Sequence, residues 1–135
     1  MPSANETPLS TALKFYEMYN AHDVALLNDL LAPEYVGEVN GSKIVGLQAA
    51  KAVIGAFLTA FPDVHYDVKD TVAESDKVAV RWRAVGTHLG TFGTLPPTRK
   101  PVTMIGITIF EIKGEQIGTL WNLWDVQGLL GQLRP

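Results

Sequence analysis

Apolar positions in the first half of the chain recur at helical spacing. Leu9, Ala12, Leu13, Tyr16 and Tyr19 fall on one helical face, and Thr7 followed by Pro8 supplies a cap and a proline where the first turn tolerates it. The pattern predicts an amphipathic helix that runs to about Asn20. Asp23 can cap a second, short helix with Leu26, Leu27, Leu30 and Leu31 facing inward and Pro33 as its stop. Residues 35–39 read as a short strand, with Asn40-Gly41 as a turn. From about Leu47, the positions Ala50, Val53, Ile54, Phe57, Leu58 and Phe61 form the apolar face of a third helix, which Pro62 stops.

Beyond Pro62 the period falls to two. Val64, Tyr66, Val68 and Val72 alternate with His65, Asp67, Lys69 and Thr71, and Ser75-Asp76 turns the chain into a second strand over 78–89. Glycines and prolines mark 90–100 as a loop, 101–112 as a third long strand, and Lys113-Gly114-Glu115 as a hairpin turn into the last strand. There Ile117, Thr119, Trp121, Leu123 and Asp125 share one face, opposite Gly118, Leu120, Asn122, Trp124 and Val126. Three helices followed by consecutive antiparallel strands is an α+β pattern. A strongly twisted sheet wrapping the longest helix leaves an apolar hollow, the kind of place where a small domain holds a small molecule. No repeat or linker interrupts the chain, so a single domain over 1–135 is expected.

Composition narrows the function classes. At 135 residues and 47% apolar the chain can build a real core, and a net charge of −3 argues against a nucleic-acid partner. No apolar run approaches the roughly 20 residues of a membrane span, and the first residues lack the basic and apolar regions of a signal peptide, so a cytoplasmic protein is expected. Without cysteine there is no disulfide, thiolate metal site or cysteine nucleophile.

The candidate chemistry gathers near the C-terminus. Asp125 is the only ionisable group on its face of the last strand, and a carboxylate among tryptophans is costly to keep charged, which suits a proton-transfer group. His88 shares strand parity with Val78, Val80, Trp82 and Ala84; it is either a satisfied core group or a pocket hydrogen-bond donor. Asp63, His65 and Asp67 lie on one strand face, but Lys69 and Thr71 continue it, so a solvated surface is expected rather than a metal site. His22, beside Asp23 at a helix junction, reads as a capping residue, and Arg81 and Arg83 as surface or interface ion-pair partners. Trp82, Trp121 and Trp124 suit stacking against a flat ring system. Both faces of the last two strands are apolar, and three helices cover only one, so a homodimer packed sheet to sheet is expected.

Phe61-Pro62-Asp63, Arg81-Trp82, Gly86-Thr87-His88-Leu89-Gly90, Pro96-Pro97-Thr98 and Trp121-Asn122-Leu123-Trp124-Asp125 stand in the order found in SnoaL-like polyketide cyclases. Asn20-Ala21-His22-Asp23 and Leu129-Leu130-Gly131-Gln132-Leu133 fit as well, so nearly the whole chain resembles that family. The resemblance implies a cone-shaped α+β fold of the nuclear transport factor 2 type with a deep pocket. It implies a cofactor-independent, metal-free enzyme that closes a ring in a hydrophobic, polyketide-like carbonyl compound by an intramolecular aldol step. Asp125 matches the family's acid/base aspartate and His88 joins it as the second catalytic candidate. Trp82, Trp121, Tyr16, Tyr35, Phe57, Asn40 and Met104 are the candidates for binding substrate. Two other readings keep the fold: a small-molecule-binding domain without turnover, and an epoxide hydrolase or cofactor-free hydroxylase using Asp125 with His88 or with Asp63 and His65. The chain departs from the family at three places. Arg99 precedes Lys100 where glycine is frequent, which would deny the loop a glycine conformation, and Ser75 stands where glycine usually precedes Asp76. The cyclases carry a histidine on the strand before the last; here that strand has Gly106, Thr108 and Phe110, none of which titrates.

Overall fold

The computed structural model describes residues 6–135. Helix α1 spans Pro8–Ala21, and Thr7 caps it as expected: Ser10 N–H donates to Thr7 Oγ1 at 3.0 Å while Thr7 N–H donates to Ser10 Oγ at 2.8 Å. Asp23 caps a 3₁₀ turn, Val24–Leu26, that runs into the short helix α2, Leu27–Leu30. Leu27 and Leu30 are buried there, but Leu26 is half exposed and Leu31 already opens strand β1, Leu31–Val39. Pro33 therefore lies inside a strand instead of ending a helix. It falls where the β1 register jumps between Leu31 and Val36, so its missing N–H costs no ladder bond. Asn40 and Gly41, both at positive φ, reverse the chain into β2, Ser42–Val45, a strand too short and polar to stand out in the sequence. Helix α3, Leu47–Ala60, follows.

Four strands then form a meander: β3 His65–Glu74, β4 Lys77–Thr87, β5 Pro101–Lys113 and β6 Gln116–Trp124. The sheet runs β2-β1-β6-β5-β4-β3. It is mixed, not wholly antiparallel as the strand pattern suggested, because the meander's last strand returns beside β1 and runs parallel to it. Its inner face (Val78, Val80, Trp82 and Ala84 on β4; Met104, Thr108 and Phe110 on β5) packs on α1 and α3. A bulge between Val68 and Asp70 shifts the register of β3, so Val72 pairs with Ala79 on the outer face and is 69% exposed, against the inward position that strict alternation predicts.

The chain ends in a fourth helix, α4, Val126–Leu133, which burial of Leu129 and Leu133 fastens to its own chain. Those leucines were expected to cover the rim or to reach a partner, and Val126 to extend the strand. Gln132 ties the helix down by donating to Thr103 O at 2.7 Å and accepting from Thr103 N–H at 2.8 Å. Ser75 and Arg99 adopt positive φ without being glycine. The expectation that arginine bars that conformation fails, because a bond from Arg99 N–H to His88 O at 2.8 Å holds the strained residue in place. Among the described residues no helix is long and apolar enough to cross a membrane.

Candidate ligand pocket

Between the sheet and the helices lies a cavity of about 240 Å³. Its floor is the inner face of β6 and β4: Leu120, Asn122 and Trp124, with Trp82 beside them. Phe15 and Tyr19 of α1 form one wall, Ile54 and Phe57 of α3 another. The exposed residues Val53, Thr91 and Gly93 mark the mouth. Aromatic contacts set the walls against each other. Tyr19 and Tyr66 lie 4.4 Å apart by ring centroid, Tyr66 and Trp82 5.0 Å, and Phe57 meets Trp124 edge-on at 6.1 Å.

Two glycines admit these rings. A side chain at Gly106 would overlap both Trp82 and Trp124, and one at Gly37 would overlap the Tyr35 hydroxyl. Asn40 holds Trp124 in register: its side chain accepts from Trp124 N–H at 2.9 Å and donates to Trp124 O at 3.1 Å, continuing the β1–β6 ladder past the end of β1.

No carboxylate, ammonium or imidazole lines the pocket among the described residues. Its polar side-chain groups are the hydroxyls of Tyr19, Tyr35, Tyr66 and Thr91, the indole N–H groups of Trp82 and Trp124, and the Asn122 amide. Burial pushes the phenols of Tyr19, Tyr35 and Tyr66 well above their ordinary value, with repulsion from neighbouring tyrosines adding to the shift at Tyr19 and Tyr66. They are neutral hydroxyls at any physiological pH. Trp82 Nε1 donates to Thr108 Oγ1 at 3.1 Å, and Thr108 donates to Asn122 Oδ1 at 3.0 Å.

Of the residues singled out from the sequence, Trp82, Tyr35 and Phe57 line this pocket. Tyr16 and Met104 are buried in the core behind it, and Asn40 acts through Trp124. Trp121 faces the other side of the sheet, 38% exposed, with the Lys77 ammonium 5.8 Å from its ring. Asp125 is exposed and outside the lining; its carboxylate caps α4 by accepting from Gly128 N–H at 2.8 Å. The enclosure by tryptophans that made it a proton-transfer candidate is absent, since Trp121 is on the open face and Trp124 on the opposite one.

His88 is fully buried but also outside the lining. Its Nδ1 accepts from Thr98 N–H at 3.1 Å and lies 3.0 Å from Thr98 Oγ1, so the ring proton sits on Nε2, which has no partner. With His88 N–H donating to Lys100 O at 3.0 Å, this histidine clamps both ends of the loop that carries Thr91 and Gly93 to the mouth.

The remaining candidates are structural. Asp63 accepts from Thr87 N–H and Oγ1, both at 2.7 Å; burial opposes its charge, but these bonds outweigh it and hold the carboxyl below its ordinary range. His65 meets Asp67 at 3.4 Å, His22 closes α1 and contacts Val64 O at 2.9 Å, and Arg81 pairs with Asp70 at 2.6 Å. Among the described residues no three His, Cys, Asp or Glu side chains are grouped to hold a metal ion. Sequence reasoning missed Tyr19, Tyr66 and Asn122 as lining groups. Asn122 carried a legible signal, being the one polar side chain between Leu120 and Trp124 on that face.

Comparison with known proteins places this arrangement. A family model described as SnoaL-like polyketide cyclase matches residues 10–133. IdmH of Streptomyces antibioticus, a candidate polyketide cyclase, is 28% identical with a TM-score of 0.84, over 95% of this chain and 99% of that one. A candidate SnoaL-like polyketide cyclase of Jannaschia sp. CCS1 is 20% identical with a TM-score of 0.89, over 100% and 99%. AclR of Streptomyces galilaeus, a candidate hydroxylase, is 24% identical with a TM-score of 0.85, over 93% and 80%. No curated protein matches. The shared architecture is the nuclear transport factor 2-like α+β fold, and on the family match the chain belongs to the SnoaL-like polyketide cyclase family.

Proposed function

We propose that the protein promotes cofactor-independent ring closure in a flexible, hydrophobic polycarbonyl compound of polyketide type, by folding it against aromatic walls and polarising a carbonyl with neutral donors. The observation that carries this reading is the lining itself: tryptophan, phenylalanine and tyrosine rings around an amide and hydroxyls. A carbon between two carbonyls enolises readily, so the nucleophile needs no strong base. The enol carbon bonds to the carbonyl carbon, the enol O–H bond breaks as its C=O re-forms, and the proton passes to the oxygen that becomes a hydroxyl. Holding both ends in contact supplies most of the acceleration, and donors aimed at the developing oxyanion add to it. Tyrosines kept neutral by burial suit that second task.

The test is to incubate the protein with a linear aryl-capped poly-β-ketone and follow ring closure by absorbance. A saturable rate above that in buffer is expected. Binding without any gain in rate would make the protein a holder of such compounds instead. The lack of a carboxylate or imidazole in the lining is the observation that favours this second reading.

A further inference from the structure

We propose that Asn122 is a hydrogen-bond donor of fixed polarity, which makes the pocket select ligands that place a carbonyl oxygen at its floor. The inference rests on the pocket being the ligand site and adds which chemical group is read there. An indole N–H can only donate. The bond from Trp82 Nε1 therefore uses Thr108 Oγ1 as acceptor, at 3.1 Å, between side chains that are 3% and 2% exposed. Thr108 keeps one proton to give, and Asn122 Oδ1 lies 3.0 Å away to take it. The Tyr16 hydroxyl lies buried beside Thr108 but meets no partner in good geometry, so Asn122 Oδ1 at 3.0 Å is the better-placed acceptor for that proton.

The polarity of the indole is thus passed through the threonine to the amide: oxygen toward Thr108, NH₂ toward the cavity that Asn122 lines. Leu120 and Trp124 flank it on the floor and offer no side-chain acceptor. A donor in such a setting gains from a ligand acceptor and gains nothing from a C–H group. Tyrosine hydroxyls both donate and accept, so they do not make this distinction; the Trp82 N–H is already engaged by Thr108, and the Asn122 amide is the floor donor whose direction this network sets.

Tryptophan fluorescence can read the effect with two probes of one shape, 2-acetylnaphthalene and 2-isopropenylnaphthalene, in which C=O is exchanged for C=CH₂. The unmutated protein should bind the ketone about tenfold more tightly than the alkene, as expected for one desolvated hydrogen bond. Asn122→Leu should erase that preference while the alkene still binds. Thr108→Val, which keeps the volume but frees the amide to rotate, should shrink it. Asn122→Asp, nearly isosteric, replaces the donor by oxygens and should also erase the preference, which covers the case in which the leucine variant does not fold. Equal affinities in the unmutated protein, or a preference that survives in both Asn122 variants, would overturn the assignment and leave the pocket reading standing. If neither probe binds, the pocket reading falls and this assignment falls with it.

Discussion

The two faces of the sheet carry similar side chains and meet different fates. On the inner face Trp82, Trp124 and Phe110 sit under α1 and α3, and the space left over is the pocket. On the outer face Ile105, Ile107 and Ile109 of β5 and Trp121 and Leu123 of β6 are between 38% and 68% exposed. The register aligns them: Ile109 pairs with Trp121 and Ile107 with Leu123, and the row continues on β4 as Ala79 and Arg81. Chemistry alone does not separate an Ile-Trp stripe that becomes a core from one that stays open. What separates them is which face the helices reach. The same contrast sorts the polar groups. Every tyrosine of the chain is on the helix side, in or behind the pocket, whereas Asp125 lies outside it as a helix cap.

The largest expected effect comes from attacking the open face. An apolar stripe of this size is more than monomers ordinarily leave in water, and a second copy packed sheet to sheet would bury it. Light scattering should give twice the chain mass at micromolar concentration, and Ile107→Glu should give monomers or insoluble protein. A monomer for the unmutated chain would show that the face is tolerated open.

Raising the pH attacks the covered face. Tyr16, Tyr19, Tyr35 and Tyr66 are all four tyrosines of the sequence, and burial raises every one of their phenols. A raised pKa means that the folded chain keeps a proton which the unfolded chain loses. The stabilisation is full below the ordinary tyrosine value of about 10 and is lost as pH rises above it. The melting temperature should fall steeply above about pH 10, and phenolate absorbance should appear only together with unfolding. Phenolate that titrates while the near-UV dichroism stays native would place at least one tyrosine in contact with water.

The smallest effect is expected at Asp125. Asn retains a cap oxygen for Gly128 N–H, so Asp125→Asn should leave the melting temperature nearly unchanged and any ring-closing rate within a few-fold. A loss of about 10²-fold or more at constant stability would return the acid/base role to this carboxylate.

Much of the fold could be read in advance from local rules. Thr7-Pro8 announced α1, Asn40-Gly41 the turn that ends β1, and Lys113-Gly114-Glu115 the last hairpin, because caps and tight turns depend on neighbours in sequence. The order of short motifs pointed to the family that the match over residues 10–133 establishes. The site was less legible. Trp82, Tyr35 and Phe57 were recognisable as large aromatic positions on buried faces, whereas Trp121 and Asp125 were assigned to the wrong surroundings.

Side-chain alternation says that Trp121 and Trp124 point to opposite faces, but not which face the helices cover. That choice belongs to packing, and packing put Asn122 in the pocket and Asp125 outside it. Bulges are equally invisible, since one extra residue at Lys69 turns Val72 outward without any change of residue type. Composition, helix caps and turns were determined by the sequence alone because they rest on contacts within a few residues. Only the tertiary structure could decide which apolar face became a pocket, since that depends on helices packed across from strands dozens of residues away, and a period-two pattern carries no information about what lies above it.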